Sequence, residues 1–147
     1  MSTSPELTTR SEQETEAAAA RLAAGLREGD LLLLVGPLGA GKTTFVRGLA
    51  RGLGSPATVN SPTFQLVRIY PGRLQLAHVD LYRLAASVEL ADLGLDELLD
   101  QGTVAVEWGD RLGLSGPQPG RCGRVLIEPA GPEVRRLRLE GEPAWSW

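Results

Sequence analysis

A three-layer α/β fold, with a central sheet part parallel and part antiparallel, is what this 147-residue sequence predicts. Three observations carry it. Leu31-Leu32-Leu33-Leu34-Val35 is apolar at every position, the mark of a strand covered on both faces. After a glycine-rich junction, Phe45, Val46, Leu49, Ala50 and Leu53 fall at helical spacing. Downstream, pairs of short strand patterns separated by turn residues add hairpins to that strand–helix unit.

The elements follow in order. Residues 1–10 read as a loosely ordered N-terminus, and residues 11–147 as a single domain, the natural count for this length. Ser11-Glu12-Gln13-Glu14 is a capping box, and the helix it opens carries Ala19, Leu22 and Leu26 on one stripe, ending near Gly29. The apolar strand comes next, then the glycine-rich junction, then the second helix with Gly54 as its stop. Thr58 to Phe64 is polar, contains Pro62 and reads as an exposed loop. Phe64 to Tyr70 and Leu74 to Val79 read as a hairpin, with Pro71-Gly72 suiting the centre of a type II turn. Ser87 can cap a helix bearing Leu90 and Leu93, and Gly94 separates it from another over Asp96 to Gln101. Thr103 to Val106 is a short buried strand ending at Glu107. Gly113 to Gly123 reads as a loop, and Arg124 to Glu128 and Val134 to Glu140 as two further strands.

The junction after the first apolar strand is the most informative stretch. Gly36-Pro37-Leu38-Gly39-Ala40-Gly41-Lys42-Thr43 has the spacing G-x-x-x-x-G-K-[ST] of a nucleotide-phosphate loop, and Lys42 is the chain's only lysine. The glycines let successive N–H groups converge on one point, and the helix N-terminus that follows completes an anion site. Lys42 adds a full charge that can reach the outer phosphates. The Thr43 hydroxyl suits Mg²⁺, a hard ion that prefers oxygen. Strand, loop and helix in that order point to a P-loop NTPase-like fold.

Composition sets the remaining bounds. Apolar residues make up 42% and charged residues 22%, an ordinary globular balance. No apolar stretch approaches a membrane span, and the first residues lack a signal pattern, so a cytoplasmic location is expected. The single Cys122 cannot form an internal disulfide and reads as inert. The net charge of −3 argues against a free-standing nucleic-acid binder. Arg135, Arg136 and Arg138 cluster, which a solvated strand face explains as well as a local basic patch does.

Two strand-end carboxylates complement the loop. Asp80 ends Leu76-Ala77-His78-Val79, and Glu107 ends Val104-Ala105-Val106. Carboxylates at the carboxyl ends of strands face the ligand crevice of open α/β sheets, so each could hold Mg²⁺ or orient the attacking water; the structural alternatives are a turn-favouring residue at Asp80 and a buried-edge salt bridge at Glu107. Trp108 could pack on the nucleotide site or on a partner, and fits equally a core residue at the rim. Thr63, in Ser61-Pro62-Thr63-Phe64, lies where many NTPases carry a threonine that closes on Mg²⁺. His78 alternates with Leu76 and reads as a packed core residue rather than a general base.

These residues together resemble a known family. Gly36 to Thr43 with Thr44, then Ser61-Pro62-Thr63-Phe64, then His78-Val79-Asp80-Leu81-Tyr82-Arg83-Leu84, then Val106-Glu107-Trp108 are similar to the bacterial TsaE (YjeE) ATPases. The resemblance covers about residues 11 to 110. It implies a role in making threonylcarbamoyladenosine next to the anticodon of tRNAs that read codons beginning with A. It implies ATP and Mg²⁺, and as partner a heterodimer of the threonylcarbamoyl transferase and its paralogue (TsaD and TsaB type), with tRNA touched indirectly. It implies that Leu38, Gly39, Ala40, Gly41, Lys42, Thr43 and Thr44 hold the phosphates. Ser11 and Glu12 would contact adenine, and a further nucleotide contact would lie near Arg135. Thr43 and Glu107 would hold Mg²⁺, with Asp80 supporting hydrolysis and Thr63 belonging to a switch-like loop. Pro37 stands where many family members carry an acidic residue; it removes one N–H, at a position away from the donors nearest the phosphates.

Three other classes compete. A GTP-dependent switch needs an Asn-Lys-x-Asp motif, which a chain with Lys42 as sole lysine cannot supply. A small-molecule or nucleotide kinase needs an arginine-bearing lid, for which Gly113 to Gly123 with Arg121 and Arg124 is the one candidate. A binding module with a structural nucleotide would show turnover insensitive to Asp80 and Glu107.

Overall fold

The computed structural model describes residues 6–37, 41–55, 67–80, 94–107, 121–141, 145 and 147. The all-apolar segment forms β2 (Asp30–Val35), and it is flanked on both sides. β5 (Gly102–Glu107) and β6 (Arg121–Pro129) pair with it in parallel, and β4 (Gln75–Asp80) runs parallel beyond β5. Both outer portions are antiparallel. β3 (Val67–Tyr70) pairs with β4, β7 (Arg135–Gly141) with β6, and β1 (Glu6–Thr9) with β7. The seven-stranded order is β1-β7-β6-β2-β5-β4-β3. The mixed sheet is therefore a parallel centre flanked by antiparallel strands.

Strand alternation sorts the core into two layers. On one face Leu32, Leu34, Leu76, Ala105 and Val125 pack with α1 (Glu12–Ala23) and α2 (Lys42–Gly52), through Leu22, Phe45, Val46 and Leu49. On the other, Leu31, Ala77, Val79, Val104 and Val106 meet Leu95 and Leu99 of α3 (Leu95–Gln101). The helix caps follow local rules. Ser11 Oγ accepts from Glu14 N at 3.1 Å, while the Glu14 carboxylate accepts from Arg10 N rather than from Ser11 itself. Gly54, at φ 81°, ends α2 with its N–H on Arg51 O and the Ser55 N–H on Ala50 O, a Schellman pair.

α1 and α2 lie unusually close. A Cβ at Gly48 would overlap the Glu16 carbonyl oxygen, and one at Gly52 would sit 2.6 Å from Ala20 O. The four-residue spacing puts both glycines on one stripe of α2, against the alanine-rich face of α1. Gly48→Ala is expected to lower stability by about 1–3 kcal/mol through overpacking. Gly25→Ala, whose Cβ would meet nothing nearer than 3.7 Å, should cost under about 0.5 kcal/mol. Urea midpoints of the two variants compare them directly.

Several expectations are corrected. Glu6–Thr9, read as loosely ordered, is a strand on the edge of the sheet, anchored by the buried Thr9 hydroxyl, 2.6 Å from that of Thr15. α1 ends at Ala23, short of Gly29, because turns through Gly25 and Leu26 carry the chain to β2. The hairpin forms, but Gly72 is not among the glycines with positive φ that a type II turn demands. Glycine is needed there for close approach: its Cβ would overlap Leu53 O, which accepts from Arg73 N at 2.7 Å. β6 begins at Arg121, not Arg124. Cys122 and Gly123, read as loop, pair with Leu31 and Leu32, and the Trp145 ring lies where a Gly123 side chain would stand. The Thr58–Phe64 loop, the helix expected after Ser87 and residues 113–120 lie outside the described residues.

Candidate nucleotide site

The site is built where the parallel strands end. β2 runs directly into Gly36, so the loop leaves from the carboxyl edge of the sheet. Leu38, Gly39 and Ala40 lie outside the described residues, as do Thr63 and Trp108. The chain re-enters at Gly41, whose left-handed φ of 103° turns it into α2. Glycine bears that conformation without a Cβ penalty. The Lys42 ammonium is bonded to Gly36 O at 2.6 Å and Pro37 O at 2.9 Å, and the residue is buried. Thr43 and Thr44 stand half-buried in the first turn of α2, where N–H groups and the helix dipole favour an anion.

The carboxylates converge on the same edge. In the β4–β5 register Asp80 lies opposite Glu107, and in the β2–β5 register Glu107 lies opposite Leu34. His78 and Asp80 share a face of β4 with Leu76, which packs in the α1/α2 layer, as Ala105 does on β5 beside Glu107. Asp80 and Glu107 thus sit side by side, on the sheet face that carries α2. Glu107 is buried, and its Oε2 is hydrogen-bonded to Nε2 of the fully buried His78.

Two further elements reach this end. Gly48 meets Glu16 and Gly52 meets Ala20, so α1 and α2 run parallel with their N-termini together. Ser11 and Glu12 are thereby brought to the end that carries Lys42, delivered there by β1. Arg135, the first residue of β7, has its Nε 3.6 Å from where a Gly41 Cβ would be, and its Nη1 donates to Gly131 O and Val134 O. The family resemblance implied a nucleotide contact near Arg135; the residues alone did not, since the cluster with Arg136 and Arg138 also fits a solvated strand face. The signal was the register that puts Arg135 beside Thr9 and Pro129.

Arg121 lies at the opposite end. Its Nε and Nη2 bind the two carboxylate oxygens of buried Asp30 at 2.7 and 2.5 Å, at the amino ends of β2 and β6. That hydrogen bond holds the guanidinium pKa above its ordinary value. Arg124 pairs with Glu140 within the β6–β7 hairpin. Neither is a lid arginine. Burial pushes the Cys122 thiol pKa up, which keeps it protonated and unreactive. Among the described residues no three His, Cys, Asp or Glu side chains form a metal-binding group, and no helix is long and apolar enough to cross a membrane.

Comparison with known proteins matches this arrangement to one family. The family described as "Threonylcarbamoyl adenosine biosynthesis protein TsaE" matches residues 9–135. The chain belongs to the TsaE family. The tRNA threonylcarbamoyladenosine biosynthesis protein TsaE of Streptomyces coelicolor is 50% identical over 134 residues, covering 82% of this chain and 86% of the relative. The TsaE of Bacillus subtilis is 44% identical over 127 residues, 85% of this chain and 78% of the relative. The crystal structure of Bacillus subtilis YdiB superposes with a TM-score of 0.76 at 35% identity, covering 97% of this chain and 88% of that one. The α/β P-loop architecture of this TsaE family member is thus shared along nearly its whole length with a solved structure.

Proposed function

We propose that this TsaE family member binds and hydrolyses ATP with Mg²⁺. In this reading it is an accessory protein for the threonylcarbamoyl modification of the adenosine next to the anticodon, in tRNAs reading codons that begin with A. It acts on a partner complex of the transferase and its paralogue. The observation that carries the reading is the gathering of Lys42 and the α2 N-terminus with Asp80 and Glu107 on one edge and one face of the sheet. Ser11, Glu12 and Arg135 at the same end supply polar groups for the rest of a nucleotide.

The residues present fit magnesium. Mg²⁺ usually takes one or two carboxylates together with substrate phosphates, and Asp80, Glu107 and the Thr43 hydroxyl are hard oxygen donors. The ion, when bound, neutralises charge on the transferring phosphoryl group. The chain's own part is to hold the phosphates on backbone N–H groups and Lys42, and to fix the carboxylates on rigid strand ends. The kinase alternative loses its two candidate lid arginines, which are spent on Asp30 and Glu140.

Isolated protein is expected to hydrolyse ATP slowly and to be activated by the partner complex, since partners often complete such sites. Turnover measured with and without the purified partners checks this, and equal rates would count against it. The decisive experiment is complementation. Cells depleted of the gene and supplied with Asp80→Ala should lack the modified adenosine that wild type restores. Full modification with Asp80→Ala would refute the role of ATP hydrolysis.

A further inference from the structure

We infer that His78 is a positioning residue for Glu107, holding that carboxylate in the one orientation that suits a divalent cation. The inference rests on the ATPase reading above and adds to it a residue whose sequence context suggested only core packing. His78 is fully buried two residues before the end of β4, between apolar residues Ala77 and Val79. Its direct partner on β5 is Ala105, so Glu107 is its diagonal neighbour on the same face. An imidazole in an apolar layer costs desolvation unless it is hydrogen-bonded. The bond it makes is to Glu107 Oε2. With Glu107 ionised, the form that ligates a cation, its carboxylate only accepts and Nε2 is the donor.

The consequence is geometric. Glu107 is buried, and its side chain has three rotatable torsions before the oxygens. Tying Oε2 to His78 fixes those torsions and leaves Oε1 for another partner. Carboxylate ligands oriented in this way typically lose about 10- to 100-fold in metal affinity when the orienting group is removed. A histidine that merely filled space would affect folding stability and leave metal affinity alone.

The test separates these roles with the full-length protein, ADP and Mn²⁺, reading free Mn²⁺ by electron paramagnetic resonance. His78→Leu removes the donor but keeps the volume, and His78→Gln keeps an amide donor on a comparable reach. His78→Leu is expected to weaken Mn²⁺ binding to the ADP complex about 10- to 100-fold, with metal-free ADP affinity unchanged and His78→Gln recovering most of the loss. Wild-type Mn²⁺ affinity in His78→Leu would overturn the inference and leave the ATPase reading intact. Absence of any ADP binding by wild type would overturn both. His78 is the only histidine in the chain, so ring nitrogen resonances of the unmutated protein report on it alone. They should move when Mg²⁺ is added to the ADP complex. Resonances indifferent to Mg²⁺ would overturn the inference even if His78→Leu failed to fold.

Discussion

Replacing Arg121 by alanine is expected to lower folding stability by about 3–5 kcal/mol, the usual loss when one member of a buried ion pair is removed. Asp30 is buried to 1% exposure, and its carboxylate takes two bonds from Arg121 and one from Arg27 N. Without the guanidinium a carboxylate would remain in the protein interior with a single backbone donor. Arg121 also donates to Gly25 O and lies 5.8 Å over the Trp145 ring, so it ties the α1–β2 turn and the C-terminal segment to the base of the sheet. Its side chain is 29% exposed, and water entering the gap sets the result toward the lower end of the range. Pairing Asp30→Leu with Arg121→Met should recover most of the loss, because the desolvation cost disappears along with the attraction. The check is a shifted denaturant midpoint at unchanged slope. ATP affinity should stay at the wild-type value, since β2 separates this pair from Gly36 by roughly 20 Å of strand. A loss below about 1 kcal/mol would mean that the pair behaves as a surface contact.

Lys42→Ala should weaken ATP binding by about 1.5–3 kcal/mol, the usual size of a hydrogen bond to a charged group. That corresponds to roughly 10- to 150-fold in dissociation constant. The bonds that Lys42 makes within the chain explain why the figure is not larger. The ammonium already has partners in Gly36 O and Pro37 O, so nucleotide binding exchanges neutral carbonyls for charged phosphate oxygens rather than creating bonds from nothing. The same contacts mean that the variant leaves two loop carbonyls without their ammonium, so stability has to be followed in parallel. Calorimetry with a non-hydrolysable ATP analogue measures the binding, and unchanged affinity in a folded variant would contradict the placement of the phosphates.

Much of the site was legible because its signals are local. The spacing of Gly36, Gly41, Lys42 and Thr43 follows from the need to curl one short backbone segment, so it survives as a pattern of neighbouring residues. Ser11 and Gly54 announce helix ends by hydrogen bonds that reach only three to five residues away. Asp80 and Glu107 were legible as strand ends, each by itself. That they stand opposite one another depended on β4 and β5 being adjacent in parallel register. His78 was legible as a packed core residue, which it is, but alternation along β4 gives it a face and not the neighbour it bonds.

What the sequence by itself determined is each strand, helix and cap whose cause lies within a few residues, and with them the phosphate loop. Tertiary structure alone decided the neighbours. It paired His78 with Glu107, Asp30 with Arg121 and Leu7 with Leu137, set Gly72 against Leu53, and laid α1 parallel to α2 through Gly48 and Gly52. The physical reason is that periodicity encodes which face of an element is buried. Which distant segment covers that face is settled only when the whole apolar surface is removed from water at once.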